Sequence, residues 1–231
     1  MSRKPAENCQ GRALISDTTR QQIGALELSD RPLVICDVDE VVVHFTRDFE
    51  AYIAAHGLWL DPASFALNGN VRHQHDHSPA ADSVVMDVVS KFFTDRTLHQ
   101  EPIDGAVDAL LELGERANVV MLTNLPHSAG EDRRQNLARH GLPFPIVTNS
   151  GPKGPAIAEL VRLTQKPAVF IDDSPSFIAS AYDHTPDVHL VHFLHDERFA
   201  RHVERMDFVS LRTGRWDEAH SHIMALIDEE T

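Results

Sequence analysis

Acidic, hydroxyl and basic side chains recur where apolar runs of this chain stop. Asp37-Val38-Asp39 closes one run, Thr123-Asn124 a second and Asp172-Asp173 a third, while Lys153 stands alone between Pro152 and Gly154. These residue types suit phosphoryl transfer. A carboxylate such as Asp37 can attack phosphorus and hold it as an acyl phosphate, dividing one displacement into two easier ones. Asp39 is close enough to share the site while pointing differently. There it can protonate the leaving oxygen and then take a proton from the attacking water. Charge that builds on the transferred oxygens must meet positive charge. Lys153 supplies one cation, and Asp37 with Asp173 supplies hard oxygen ligands for a second, which Mg²⁺ fits because it needs few protein carboxylates. The Thr123 hydroxyl and the Asn124 backbone N–H suit the remaining phosphoryl oxygens. Carboxylates crowded without a cation would have raised pKa values and make poor nucleophiles. Taken singly, each fragment also reads as a turn or a helix cap. Asp172-Asp173-Ser174-Pro175, for example, is a good helix start with proline at the first position. Their order, each at the end of an apolar run or the start of a helix, carries the inference.

Those residues meet only if the runs are neighbouring strands of one sheet. Pro32 to Asp37 is continuously apolar, as a strand buried on both faces requires. The next long stretch carries helical patterns around Phe45 to His56 and Ala80 to Phe93, separated by a turn-rich segment with Asn68-Gly69-Asn70 and several histidines. From Glu101 onward strands and helices alternate. Strands are expected over 118–122, 145–148, 168–171 and 188–193. Helices are expected over 106–116, 128–140, 156–164, 175–182 and 216–227, after an early one within 18–28. Alternation of this kind implies right-handed crossovers and a parallel sheet covered on both faces. In such a sheet the strand ends share one edge, beside the crevice where ligands bind. The expected class is α/β, a Rossmann-like parallel sheet flanked by helices with a mostly helical insertion after its first strand. The parts are an N-terminal extension over 1–30, a core over 31–43 and 101–231, and a helical cap over 44–100.

The motifs resemble the haloacid dehalogenase (HAD) superfamily. Val34-Ile35-Cys36-Asp37-Val38-Asp39-Glu40-Val41 resembles its first motif and Val119-Val120-Met121-Leu122-Thr123-Asn124 its second. Lys153 in Gly151-Pro152-Lys153-Gly154-Pro155 resembles the third, and Val169-Phe170-Ile171-Asp172-Asp173-Ser174 the fourth. Glu101-Pro102-Ile103-Asp104-Gly105-Ala106 resembles the segment that returns the chain from cap to core. The resemblance implies a phosphatase-type hydrolase with Asp37 as nucleophile and metal ligand. It makes Asp39 the acid/base, giving its backbone carbonyl to Mg²⁺. Thr123, with Asn124 beside it, binds phosphate, and Lys153 steadies the nucleophile. Asp173 is then the direct metal ligand and Asp172 its support, with the two able to exchange. Many members carry glycine where Glu40 stands. His44 lies near the cap hinge by the family layout, as a candidate for steering phosphate.

Within the insertion, Arg72-His73-Gln74-His75-Asp76-His77 reads as a solvated loop, as a contact to an anionic substrate with Arg72 foremost, or as a transition-metal site. Cys36 beside the nucleophile reads as a packing thiol facing away from Asp37. Two cysteines, Cys9 and Cys36, make no disulfide framework. The first ten residues lack the apolar core of a signal peptide. A reduced, cytoplasmic protein is expected. A net charge of −14 over 231 residues argues against nucleic acid and anionic membranes as partners and leaves a small phosphorylated metabolite. The expected activity is Mg²⁺-dependent hydrolysis of a small phosphomonoester. A phosphomutase would use the same residues, and a non-enzymatic phosphate-ester-binding protein would share the fold. A 2-haloacid dehalogenase needs neither Asp39 nor the acidic pair. No G-x-x-x-x-G-K loop supports an ATP-driven role.

Overall fold

The computed structural model describes residues 15–229. In chain order these form α1 (Asp17–Gly24), β1 (Leu33–Cys36), α2 (Thr46–Ala54), β2 (Leu58–Leu60), β3 (Val71–His73), α3 (Asp82–Arg96), α4 (Ala106–Arg116) and β4 (Asn118–Thr123). There follow α5 (Gly130–Arg139), β5 (Ile146–Thr148), α6 (Gly154–Val161), β6 (Ala168–Asp172), α7 (Pro175–His184), β7 (His189–Phe193), α8 (Glu197–Ala200), β8 (Leu211–Thr213) and α9 (Trp216–Glu229). Cys9 lies outside the described residues.

Six strands make one sheet in the order β5-β4-β1-β6-β7-β8, every pair parallel. β1 sits between β4 and β6, so the sheet is wound in both directions from it and the switch-point crevice opens above its carboxyl end. Alternation along β1 sorts its side chains. Val34 and Cys36 enter one apolar cluster with α4 and α9, whereas Leu33 and Ile35 enter the opposite one with α6 and α7. Every side chain of β1 and β4 is buried, which is why both read as unbroken apolar runs. The segment assigned to an N-terminal extension is built into the core from Ile15 onward. Ile15 and Ile23 join the second cluster, the Thr19 hydroxyl donates to the Thr148 carbonyl, and Gln22 accepts the Thr148 N–H.

The insertion between β1 and α4 contains more than helices. Leu58–Leu60 and Val71–His73 pair antiparallel as a short hairpin between α2 and α3. Its apolar cluster, with Phe49, Ile53, Leu60, Val71 and Phe92, also takes in Leu125, Ala129 and Phe199 from the loops above the sheet. The cap is therefore seated on the core rather than hung beside it. Its two connections run side by side: His44 N–H donates to the Glu101 carbonyl, and Ile103 N–H to that of Val42.

The start of α6 is fixed by a close approach. A Cβ at Gly154 would lie 2.1 Å from the Ser180 carbonyl oxygen on α7. Glycine lets the two helices meet there, next to Lys153. Gly154→Ala is expected to cost about 2 kcal/mol or more as α6 lifts from α7, read as a lower urea midpoint. Gly24→Ala, with nothing within 4 Å of the added carbon, should be neutral or stabilising by at most about 1 kcal/mol.

Candidate active site

The topology brings the singled-out residues to one edge. Asp37 follows β1 directly, and its N–H donates to the Ile171 carbonyl on β6, so its neighbour across the sheet is Asp172. Thr123 ends β4 on the other flank. Lys153 arrives differently: the chain leaves β5 and must pass over β4 and β1 to enter β6. That crossover starts at Lys153 and carries its side chain back over the middle of the sheet. Its ammonium lies 2.6 Å from Asp37 Oδ1 and 2.6 Å from Asp172 Oδ2, with no exposure of its own. The Phe177 ring sits 5.0 Å from the same nitrogen. Burial would push the lysine pKa down, yet the two carboxylates hold it above the ordinary range.

Asp37, Asp172 and Asp173 each present an oxygen within 4.8 Å of the others, and among the described residues they are the one such group of three potential metal ligands. One buried ammonium faces three carboxylates. Burial raises the Asp37 pKa to about 7, with Asp172 and Asp39 adding to the rise and Lys153 opposing it. Asp173 is pushed well above its ordinary value, first by burial and then by Asp172, Asp37 and Glu40. Such a set fits a hard divalent cation, which would relieve both the burial and the mutual repulsion. Asp172 has little left to offer a metal, because Oδ2 takes the lysine and Oδ1 takes the Ser174 N–H at 2.8 Å. Asp173 accepts no donor from the described residues and is half-buried. Its carboxylate oxygens are thus open, as a direct metal ligand would need.

Asp39 is held by a second buried group. Arg133, wholly buried on α5, donates from Nη2 to Asp39 Oδ1 at 2.6 Å and to Gln100 Oε1 at 2.8 Å. Its Nη1 donates to Asn136 Oδ1 at 3.2 Å. The Thr123 hydroxyl, expected to face phosphate, donates to Asp39 Oδ2 at 3.2 Å instead. The Asn124 side chain bonds to the Gly151 carbonyl and to Asn149, tying the second-motif loop to the third. Arg133, Gln100 and Asn136 escaped the sequence reading. Arg133 adjoins an exposed arginine, Arg134, and only helical spacing to Leu137 places it on the inner face.

Glu40 has φ 61°, the left-handed region in which glycine is at ease. Its carboxylate accepts the N–H groups of Phe45 at 3.1 Å and Thr46 at 2.6 Å, so it caps the first turn of α2 and ties the loop after β1 to the cap. Trp216 holds the same loop from below, donating Nε1–H to the Val41 carbonyl at 2.8 Å.

Other expected residues lie elsewhere. Arg72 is engaged inside the cap, 3.0 Å from Asp61 and donating to the His77 carbonyl, rather than joining the acidic cluster. His44 faces His195 with ring centroids 5.3 Å apart, and burial followed by Arg47 lowers its pKa. His73 and His75 face each other at 5.4 Å while His77 turns to Trp59, so the trio forms no metal-ligating group. Cys36 is buried in the cluster opposite Asp37's neighbours Leu33 and Ile35, and burial lifts its thiol well above the ordinary range. It is an inert packing residue.

No protein-family model matches the sequence, and no curated protein matches it. Solved structures do match. A HAD family hydrolase from Deinococcus radiodurans R1, solved with bound phosphate and sodium, aligns with a TM-score of 0.60 over 87% of this chain and 98% of its own, at 16% identity. An L-2-haloacid dehalogenase aligns at 0.55 over 84% and 99%, at 10% identity. A HAD hydrolase from Bacillus subtilis bound to magnesium aligns at 0.53 over 84% and 98%, at 12% identity. At these identities the likeness is one of fold, and the protein has the HAD-hydrolase fold.

Two outcomes follow from the electrostatics. Asp173→Asn removes one of the crowded charges, so it should raise the melting temperature of the metal-free protein, by about 1 kcal/mol of stability. The same change should abolish the rise that Mg²⁺ gives the unaltered protein. His192 is buried and bonded through Nε2 to the Asp173 carbonyl, and burial lowers its pKa from 6.5 to about 4. The folded state thus resists a proton that the unfolded chain accepts. No stability is lost above about pH 6.5, and it falls as pH drops toward 4. Asp37 works in the opposite sense, since its folded form takes up a proton near pH 7 that the unfolded chain does not. The comparison with His192→Gln isolates the histidine: the variant should be less sensitive between pH 8 and pH 5 by about 2 kcal/mol in urea unfolding.

Proposed function

We propose that the protein is a Mg²⁺-dependent phosphatase that hydrolyses a small phosphomonoester through an aspartyl-phosphate on Asp37. The observation that carries this reading is the convergence of Asp37, Asp172 and Asp173 within 4.8 Å of one another around the buried Lys153. Asp37 and Asp173, with the Asp39 backbone carbonyl, would hold Mg²⁺, which when bound offsets the charge on the phosphoryl oxygens and keeps Asp37 ionised. Asp37 attacks phosphorus, and the P–O bond to the leaving alcohol breaks. Lys153 fixes the attacking carboxylate in position and meets charge on the transferred group. Asp39 protonates the leaving oxygen, then takes a proton from the water that attacks the aspartyl-phosphate, releasing inorganic phosphate. To do so it must exchange Arg133 and Thr123 for the reacting oxygens, which frees the Thr123 hydroxyl for the phosphoryl group. The Deinococcus protein of the same fold was solved with phosphate bound and the Bacillus one with magnesium, which supports the reading. Dehalogenation is disfavoured because it leaves Asp39 and the buried acidic pair without a role. Among the described residues no helix is long and apolar enough to cross a membrane. A free Cys36 thiol suits a reducing compartment, so the cytoplasm and a small phosphorylated metabolite complete the proposal.

With p-nitrophenyl phosphate and Mg²⁺ the protein should release inorganic phosphate, and EDTA should stop it. Asp37→Asn should lower kcat by about 10³-fold or more with folding intact. Asp39→Asn should let the aspartyl-phosphate accumulate, visible as a mass increase on the intact chain. Halide release from a 2-haloacid without metal would sink the proposal.

A further inference from the structure

A cavity of about 240 Å³ opens between cap and core, and Asp173 forms part of its wall. Its apolar lining is Phe45, Leu60, Phe65, Ala66 and Leu67 from the cap with Leu194, just after β7, and Phe199 of α8. The polar groups on it are Glu40, Asp173, Asp196 and His195, with Thr46 and Ser174, and among the described residues no lysine or arginine lines it. Glu40 is committed to the first turn of α2 and Asp196 to Arg198. A group that entered would therefore meet mainly apolar walls and no lysine or arginine among the described residues.

We infer that this cavity receives the leaving group, and that the substrate is the phosphomonoester of an uncharged, ring-sized apolar alcohol rather than one bearing a second anionic group. The inference rests on the reading that a phosphoryl group sits at Asp37. Position supports it, because Asp173, drawn into the cluster around Asp37, is also a wall of the cavity. Size supports it too. An apolar cavity of about 150 Å³ holds benzene, so a ring fits within this one. Charge supports it a third time: with Mg²⁺ taken up by the phosphoryl group, a second phosphate or a carboxylate would lose its hydration and find no lysine or arginine on the described lining in return. Phe65 and Phe199 pack edge to face at 6.5 Å, which brings an aromatic side chain from the cap and one from the core to the same wall.

Binding and turnover test this separately. Phenylphosphonate, which cannot be hydrolysed, should bind the Mg²⁺-loaded protein at least about tenfold more tightly than phosphonoacetate in calorimetry. Phe65→Ala, a half-buried position, and Phe199→Ala should each shrink that ratio several-fold. Leu67→Lys, which adds the missing cation, should reverse the order. Equal affinities, tighter phosphonoacetate, or a ratio unmoved by Phe65→Ala would overturn the assignment even if phosphate esters are hydrolysed. The predicted preference with no turnover of any ester would keep the cavity as a binding site for an apolar group but overturn its assignment to a leaving group, together with the phosphatase reading.

Discussion

The site depends on a lysine ammonium with no exposed surface, held 2.6 Å from each of two carboxylates. Burying charges is expensive, and a buried ion pair returns that cost only when its geometry is good and its remaining valences are filled. Here they are filled on one side only. Asp172 is satisfied by Lys153 and the Ser174 N–H, while Asp37 keeps its second oxygen and Asp173 keeps both. The cluster carries more negative charge than the lysine balances, and the excess lies on the oxygens that face the crevice. Gly154, the β5-to-β6 crossover and the adjacency of β4, β1 and β6 all serve this arrangement, since each fixes where one of its charges emerges.

A second buried network has a different task. Arg133, Gln100 and Asn136 form a hydrogen-bonded floor from which Asp39 is held by one oxygen while Thr123 holds the other. Removing one partner of such a group leaves the rest unsatisfied, which is costly. The two networks differ in what they permit. Lys153 is fully enclosed between two carboxylates, whereas Asp39 is half-buried and divides its oxygens between the Arg133 guanidinium and the Thr123 hydroxyl.

Much of the fold and part of the site were legible in the sequence, for reasons tied to burial. β1, β4 and β6 are covered on both faces and read as unbroken apolar runs, so Asp37, Thr123 and Asp172 could be placed at one edge before any coordinates existed. β2, β3 and β8 are three residues long with mixed burial, and no periodicity shows over so short a span. The insertion therefore reads as mostly helical, and its hairpin does not show in the pattern. Arg133 was missed because composition cannot distinguish a buried arginine from its exposed neighbour. Arg72 was singled out because a cation in a cap loop attracts notice, yet Asp61 lies beyond the short range of pattern that sequence reading uses. Glu40 was seen as a departure from glycine. Its left-handed φ shows what glycine would ease there, and its two bonds to α2 show what a side chain adds.

The way the cap is seated links selection to closure. Across the crevice the cap meets the loop after β7 through Arg198, which bridges Glu50 on α2 and Asp196, and through Phe65 against Phe199. Arg198 is largely exposed, and an exposed ion pair contributes at most about 1 kcal/mol. These contacts are too weak to hold the cap shut by themselves. The apolar wall they bring together is the wall of the cavity, so a group that fills it adds its own buried area to closure. Such a group strengthens the closed state, and closure in turn excludes water from the oxygens around Asp37. An ester too small to reach Phe65 and Phe199 would add nothing to the apolar cluster with Leu125, Ala129 and Phe199 that already seats the cap. If a leaving group occupies this cavity as proposed, its fit and the exclusion of water from the oxygens around Asp37 are set by the same contacts.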